Sequence, residues 1–157
     1  MPQPPELSPP SPTTGGWYLY MLKLIETGLR PSLESALSAH GFSTSQYTAL
    51  SVLRVRPGIT SSELARRSFV KAQSMAETVS SLQERALIRR DPDPTHARRL
   101  LLQLTDHGQQ ALAEVEQPVT QAEAAILEGL SDAARTQLAS SLRTVRHNLQ
   151  TLGDGSP

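Results

Sequence analysis

The stretch TSSELARRSFVKAQSMAETVSSLQERALIRRDPDPTHARR, residues 60–99, carries three different patterns in succession, and their order decides the fold. Thr60-Ser61-Ser62-Glu63 is a capping-box pattern, which predicts a short helix through Leu64, Ala65 and Arg66. After Ser68-Phe69-Val70 a second helix is predicted from about Ala72 to Glu84. Met75, Val79 and Leu82 recur there at the three-and-four spacing of one inward face. The pattern then changes. Leu87-Ile88-Arg89-Arg90 runs into Asp91-Pro92-Asp93-Pro94-Thr95, which is turn chemistry. Beyond the turn, Leu100 to Leu104 forms a second short apolar run. Two such runs around a polar, basic turn predict a β-hairpin.

Working outward, Ser43-Thr44-Ser45-Gln46 is another capping box and opens a helix through Tyr47, Leu50 and Leu53, stopped by Pro57-Gly58. Upstream, Trp17, Tyr20, Met21, Leu24, Ile25, Gly28, Leu29 and Leu33 line one face of an amphipathic helix over about 17–39. Pro31 is expected to kink or interrupt it. Downstream, Thr105 caps a long helix over about 106–128 through Leu112, Val115, Val119, Ala122 and Ile126, with Pro118 expected to interrupt it. Ser131 caps a last helix through Leu138, Leu142, Val145 and Leu149. Six of the twelve prolines fall in residues 1–15 beside a single charge, Glu6, so this segment is expected to be a disordered tail. A flexible end is expected over 153–157. Between the two ends, 16–152 reads as one domain.

The chain has no cysteine among its 157 residues, which excludes disulfide scaffolds, thiolate zinc sites and iron–sulfur clusters. His40, His96, His107 and His147 show no metal-ligand spacing, and no metal or cofactor is expected. No nucleophile elbow or phosphate-cradling glycine loop is present, so an enzyme is not expected. No apolar run approaches a membrane span and no secretion signal is evident, so a cytoplasmic location is expected. The net charge of zero conceals a segregation. Residues 54–99 hold ten Lys/Arg against five Asp/Glu, for +5; residues 1–53 sum to −1 and residues 100–157 to −4. Phosphate attraction is local, screened within about 8–10 Å at physiological salt. A basic centre in a neutral chain therefore suits a nucleic-acid partner.

Short helix, turn, longer helix and basic hairpin is the order of a winged helix-turn-helix. The expected fold class is mainly α with a small β-hairpin wing. Its DNA-binding lobe spans about 42–104, and helices over 17–39 and 106–152 form a dimerisation region. In such an arrangement the second helix of the pair lies in the major groove. Gln73, Ser74, Glu77 and Ser80 sit on its outward face. As base readers, Gln73 suits adenine and Glu77 suits cytosine; a solvated helix face would use the same residues. Arg98, with His96 and Arg99 near the hairpin tip, suits the negative minor groove. Ser61, Arg66, Lys71 and Arg99 are candidates for phosphate contact, which positions a protein without reading sequence.

The run Ser62 to Arg67, then Val70, then Met75…Val79…Leu82, then Arg85 to Arg90, resembles the MarR (multiple antibiotic resistance regulator) family. So do Asp91-Pro92-Asp93-Pro94, Arg98, Leu104-Thr105-x-x-Gly108 and Leu130-Ser131. The resemblance covers about 17–152. It implies a homodimeric regulator, most simply a repressor, that binds double-stranded DNA at a pseudo-palindromic operator. It also implies release by a small, aromatic acid-like ligand held between the dimerisation helices and the DNA-binding lobe. Trp17, Tyr20, His40 and Tyr47 fall where such a pocket would be lined; ordinary core packing accounts for the same residues. Three departures from the family pattern stand out. His96 stands where an aspartate usually steadies the wing arginine. Ala86 replaces a glycine after the recognition helix. Glu77 and Thr78 occupy recognition-helix positions that are often basic or apolar in the family. The alternatives are a winged-helix module that binds protein, or a DNA binder with no ligand.

Overall fold

The computed structural model describes Pro12 and residues 15–154. Six helices and one hairpin follow in the order α1 (Trp17–Ser38), α2 (Thr44–Val55), α3 (Ser61–Arg67), α4 (Ala72–Glu84), β1 (Ile88–Asp93), β2 (His96–Leu104), α5 (Asp106–Ile126) and α6 (Asp132–Asp154). The expected tail lies almost wholly outside the described residues, as does 155–157. At the other end α6 continues through Gly153 and Asp154, two residues into the segment expected to be flexible.

The predicted start signals act with one exception. Ser43 Oγ accepts from the backbone N–H of Gln46, whose side chain accepts from the backbone N–H of Ser43, a complete capping box. At α3 only half of the box forms. Thr60 Oγ1 accepts from Glu63 N, but the Glu63 carboxylate turns to Arg66 and Arg67 instead of reaching back. A charged pair of guanidinium donors outcompetes one backbone N–H for the carboxylate. Neither proline breaks its helix: α1 is continuous through Pro31 and α5 through Pro118. Proline removes one backbone hydrogen bond from such a helix. Apolar anchors hold the turns together, with Leu33 and Leu37 packed on the core after Pro31 and Val115 and Val119 flanking Pro118.

The core is the inner face of the lobe that sequence periodicity outlined. Leu50 and Leu53 of α2, Leu64 of α3, Met75, Val79 and Leu82 of α4, Leu102 of β2 and Leu112 and Val115 of α5 are all nearly inaccessible. Leu37 brings the end of α1 into the same cluster. Strands β1 and β2 pair antiparallel from Ile88↔Leu104 to Pro92↔Leu100, with an irregularity before Asp93↔His96. Sequence reading missed one further pairing. Ile59 bridges Leu102, with Gly58 N donating to Leu102 O (2.9 Å) and Leu102 N to Ile59 O (2.8 Å). This bridge ties the hairpin's base to the segment that enters α3, so wing and helix pair form one unit. No helix among the described residues is long and apolar enough to cross a membrane.

Candidate nucleic-acid interface

Helices α3 and α4 are joined by a tight reversal built from backbone groups. Val70 N donates to Ala65 O (3.1 Å) and Phe69 N to Arg66 O (3.3 Å), the paired bonds that close a helix around a left-handed residue. That residue is Phe69, at φ 54°. The same closure ends α4, where Leu87 N reaches Leu82 O and Ala86 N reaches Gln83 O, with Ala86 at φ 53°. The alanine in place of glycine thus keeps the left-handed backbone. It ends α4 where the chain must turn into β1.

Burial of Met75, Val79 and Leu82 fixes the rotation of α4, leaving Gln73, Ser74, Glu77 and Ser80 exposed together on the opposite face. Lys71 precedes the first turn and is exposed too. The far end of α4 is clamped to the α1–α2 junction. Arg85 lies over the Phe42 ring at 4.4 Å and donates through Nη1 to Gly41 O at 2.9 Å, while Gln46 Nε2 donates to Ser81 Oγ at 2.9 Å. Both ends of the exposed face are therefore held by the body of the lobe.

At the hairpin tip, Asp93 accepts from Thr95 N (2.8 Å) and Thr95 Oγ1 (2.6 Å), with Arg99 Nη1 at 3.8 Å. These two Thr95 hydrogen bonds, with Arg99 and His96 nearby, hold the Asp93 carboxyl below its ordinary range. With His96 in place of an aspartate, the carboxylate at the tip is Asp93, three residues earlier. It organises the turn and engages Arg99, and it leaves Arg98 without an ion pair among the described residues. Elsewhere the basic segment is partly self-neutralised. Glu63 takes both Arg66 (2.9 Å) and Arg67 (2.5 Å), and Asp91 takes Arg89 (3.0 Å). Burial pushes the Glu63 carboxyl up, but the two guanidinium hydrogen bonds outweigh it and hold it low. Arg54 bridges α2 to Glu116 of α5 at 2.6 Å.

The candidates accordingly separate into groups. Lys71, Gln73, Ser74, Glu77 and Ser80 share the start and outer face of α4. His96, Arg98 and Arg99 share the wing and are exposed. Arg66 and Arg99 meet across a shallow groove of about 340 Å³ lined also by Gly58, Thr60, Ser62 and Glu63. Ser61 is half-buried at the start of α3 and does not line this groove, although its neighbours Thr60 and Ser62 do. Sequence reasoning overlooked Arg90, exposed on β1 and free of an ion pair among the described residues; the Arg89-Arg90 doublet was the available signal.

The four aromatic and histidine candidates are not brought together within one chain. Trp17 packs edge-on against Tyr18, and Tyr20 is exposed near the start of α1. His40 is exposed beyond its other end, roughly 30 Å away at 1.5 Å per residue. Tyr47 packs against the core. A larger groove of about 900 Å³ lies instead between α1, α5 and α6. It is walled by Leu22, Ile25, Leu29, Ile126, Leu138 and Leu142 among others, and none of the four candidates lines it. Among the described residues no group of three or more His, Cys, Asp or Glu side chains is placed to hold a metal ion.

Comparison with known proteins agrees with this geometry. The model of the MarR family matches residues 40–99, from the end of α1 to Arg99. The chain is 37% identical, over 106 residues, to a Thauera aromatica protein whose name ties it to transcriptional regulation of the hcr operon. That alignment takes in 68% of this chain and 64% of the relative, just under two thirds of its length. It is 30% identical over 112 residues to the HTH-type transcriptional repressor Rv2887 of Mycobacterium tuberculosis, covering 71% of this chain and 81% of that one. Among solved structures, CouR of Rhodococcus jostii RHA1 bound to p-coumaroyl-CoA superposes with TM-score 0.73 at 21% identity, covering 82% and 91% of the two chains. The repressor CouR bound to a 23-mer DNA duplex superposes with TM-score 0.71 at 24% identity, covering 87% and 99%. The chain belongs to the MarR family.

Proposed function

We propose that this chain is a transcriptional repressor that binds a pseudo-palindromic DNA operator as a homodimer and is released by a small aromatic acid or its acyl derivative. The observation that carries the DNA reading is the pairing of an exposed, rigidly held α4 face with the wing's Arg98, which has no anion partner among the described residues. The α4 helix enters the major groove, where Gln73 and Ser74 meet base edges and Lys71 meets phosphate. Arg98 enters the adjacent minor groove. Arg66 and Arg99 exchange their carboxylates for phosphates at the groove between α3 and the wing. The solved complex of CouR with a DNA duplex supports this placement by likeness of fold.

The dimer reading rests on what a single chain leaves uncovered. Helix α6 has no buried residue, and Leu138, Leu142, Val145 and Leu149 form an exposed stripe along it. A second copy covers this stripe and the adjoining groove. The ligand reading is supported by the acyl thioester bound to CouR. Effector binding then favours a dimer whose two α4 helices no longer match groove spacing, about 34 Å on B-DNA.

The test is binding to duplexes selected by the protein from a random-sequence pool. A two-fold symmetric consensus is expected, with affinity that falls steeply with salt as counterions are released. Arg98→Ala weakens binding, and Gln73→Ala relaxes preference at one base pair by about 1–3 kcal/mol. Selection that returns no symmetric site, or a flat salt response, overturns the reading. Aromatic acids that both raise Tm and release the duplex identify the effector class.

A further inference from the structure

We infer that Phe69, in the turn between α3 and α4, is a specificity residue that packs against the methyl group of a thymine in the operator's major groove. The inference rests on the DNA reading above and adds a contact that hydrogen-bond donors and acceptors do not supply.

Three observations converge on it. Phe69 holds a left-handed backbone at φ 54°, a conformation disfavoured for a bulky side chain. The reversal requires only the backbone there, since the equivalent closure of α4 uses Ala86, and the closure of α1 places Gly41 at φ 71°. Nothing about folding this turn calls for a phenyl ring. Second, the ring gains little inside the chain: Phe69 is 56% exposed, whereas the other phenylalanine, Phe42, is 7% exposed under Arg85. A disfavoured backbone joined to an exposed aromatic ring is expected where a partner supplies the compensation. Third, the surroundings identify that partner. Residues 69–74 are exposed without a break, and they contain Lys71, Gln73 and Ser74 and no acidic side chain. This rim complements phosphate. It is also distinct from the apolar groove of α1, α5 and α6 that suits a second copy of the chain. On a base edge in the major groove the apolar feature is the thymine C5-methyl, and phenylalanine is among the side chains that pack on it.

The experiment uses the full chain and a duplex selected with the wild-type protein from a random pool, read by fluorescence anisotropy. Each thymine is replaced in turn by deoxyuridine, which removes the methyl and leaves base pairing intact. One position per half-site is expected at which this weakens the wild type about fourfold, the worth of one buried methyl group. Phe69→Gly weakens binding to the unmodified duplex by a similar factor and no longer senses that position. Phe69→Leu, still apolar, continues to sense it. Without DNA, Phe69→Gly unfolds within a few degrees of the wild type, because glycine relieves the backbone. If the wild type binds its duplex but no deoxyuridine position distinguishes it from Phe69→Gly, the inference falls and the DNA reading stands. If Phe69→Gly shifts the monomer–dimer balance in sedimentation, the ring belongs to a subunit contact and the inference falls. If the wild type retains no duplex from the pool, both readings fall together.

Discussion

Gly108 shows how one residue sets the spacing between the hairpin and the helix that follows. Thr105 caps α5 through its hydroxyl, which accepts from Gly108 N at 3.0 Å and donates to Ala86 O at 2.7 Å. The Thr105 backbone N–H donates to Leu87 O at 3.1 Å. These bonds pull α5 so close to the end of α4 that a Cβ on Gly108 would lie 2.0 Å from the Leu87 carbonyl oxygen. A backbone atom cannot yield as a side-chain tip can. Gly108→Ala should therefore destabilise the fold by about 3 kcal/mol, the upper end for overpacking, with a clear drop in the urea midpoint. Ala86 presents the opposite case. It sits at φ 53° and is exposed, so its methyl gains little and strains the backbone. Ala86→Gly removes the strain, worth about 1–2 kcal/mol, against the added freedom of glycine in the unfolded chain. A net gain of roughly 0.5–1 kcal/mol is expected, seen as a rise in Tm with DNA affinity unchanged. A fall in Tm would show that the Ala86 methyl packs against something it does not touch in the single chain.

At the scale of elements, the helix pair and hairpin were legible because their signals are local. A capping residue, an apolar residue at every third or fourth position and a Pro-Asp-Pro turn each act within a few residues of themselves. What was not legible depended on distant partners. The bridge between Ile59 and Leu102 joins segments more than forty residues apart, and nothing in Ile59's own neighbourhood announces it. Pro31 and Pro118 carried a true local penalty that core packing nearby overrode, after the first and on either side of the second. The wing carboxylate was sought at the position of His96; the turn's carboxylate is Asp93 instead, which holds Thr95 and Arg99 and leaves Arg98 without an ion pair among the described residues. This has a consequence for pH. The Asp93 carboxyl titrates below its usual 3.8, so the turn's ordering is fully present above that value and is lost as pH falls through the lower, folded value. In NMR, the Thr95 amide resonance should shift with a midpoint below 3.8, while the buried Leu102 amide stays fixed through the same range. A midpoint at or above 3.8 would mean that Thr95 does not stabilise the charged form. The residues offered as a ligand pocket fared differently. Trp17, Tyr20, His40 and Tyr47 were grouped by residue type and by resemblance, and a helix of 22 residues holds the first two far from the third.

For the molecule as a whole, the decisive feature is the contrast between a lobe that is finished and a helical region that is not. The lobe buries every large apolar residue on the inward face of α4, whereas α1 and α6 display theirs: Leu22, Leu24 and Ile25 on one, Leu138, Leu142 and Leu149 on the other. Arg135 fastens the base of α6 by donating to Leu130 O (3.1 Å) and Leu127 O (3.2 Å), so its direction is set where it leaves α5. Beyond that anchor none of the described residues buries it. A 23-residue helix with an apolar stripe and no partner is marginal in water, since most helical stability in proteins comes from packing that face. Dimer formation and α6 folding should therefore be one event. Leu142→Asp places a charge in the apolar groove between α1, α5 and α6 without touching the lobe's core. Sedimentation should then report a monomer, circular dichroism should lose helix equivalent to most of α6, and affinity for a two-half-site duplex should fall by more than about 100-fold, because one half-site contributes far less than two joined. The lobe's own amide protection should persist, since Leu50, Leu82 and Leu112 remain packed. A monomer that keeps its full helix content would show that α6 is held by its own chain. The exposed stripe would then have some role other than joining two subunits.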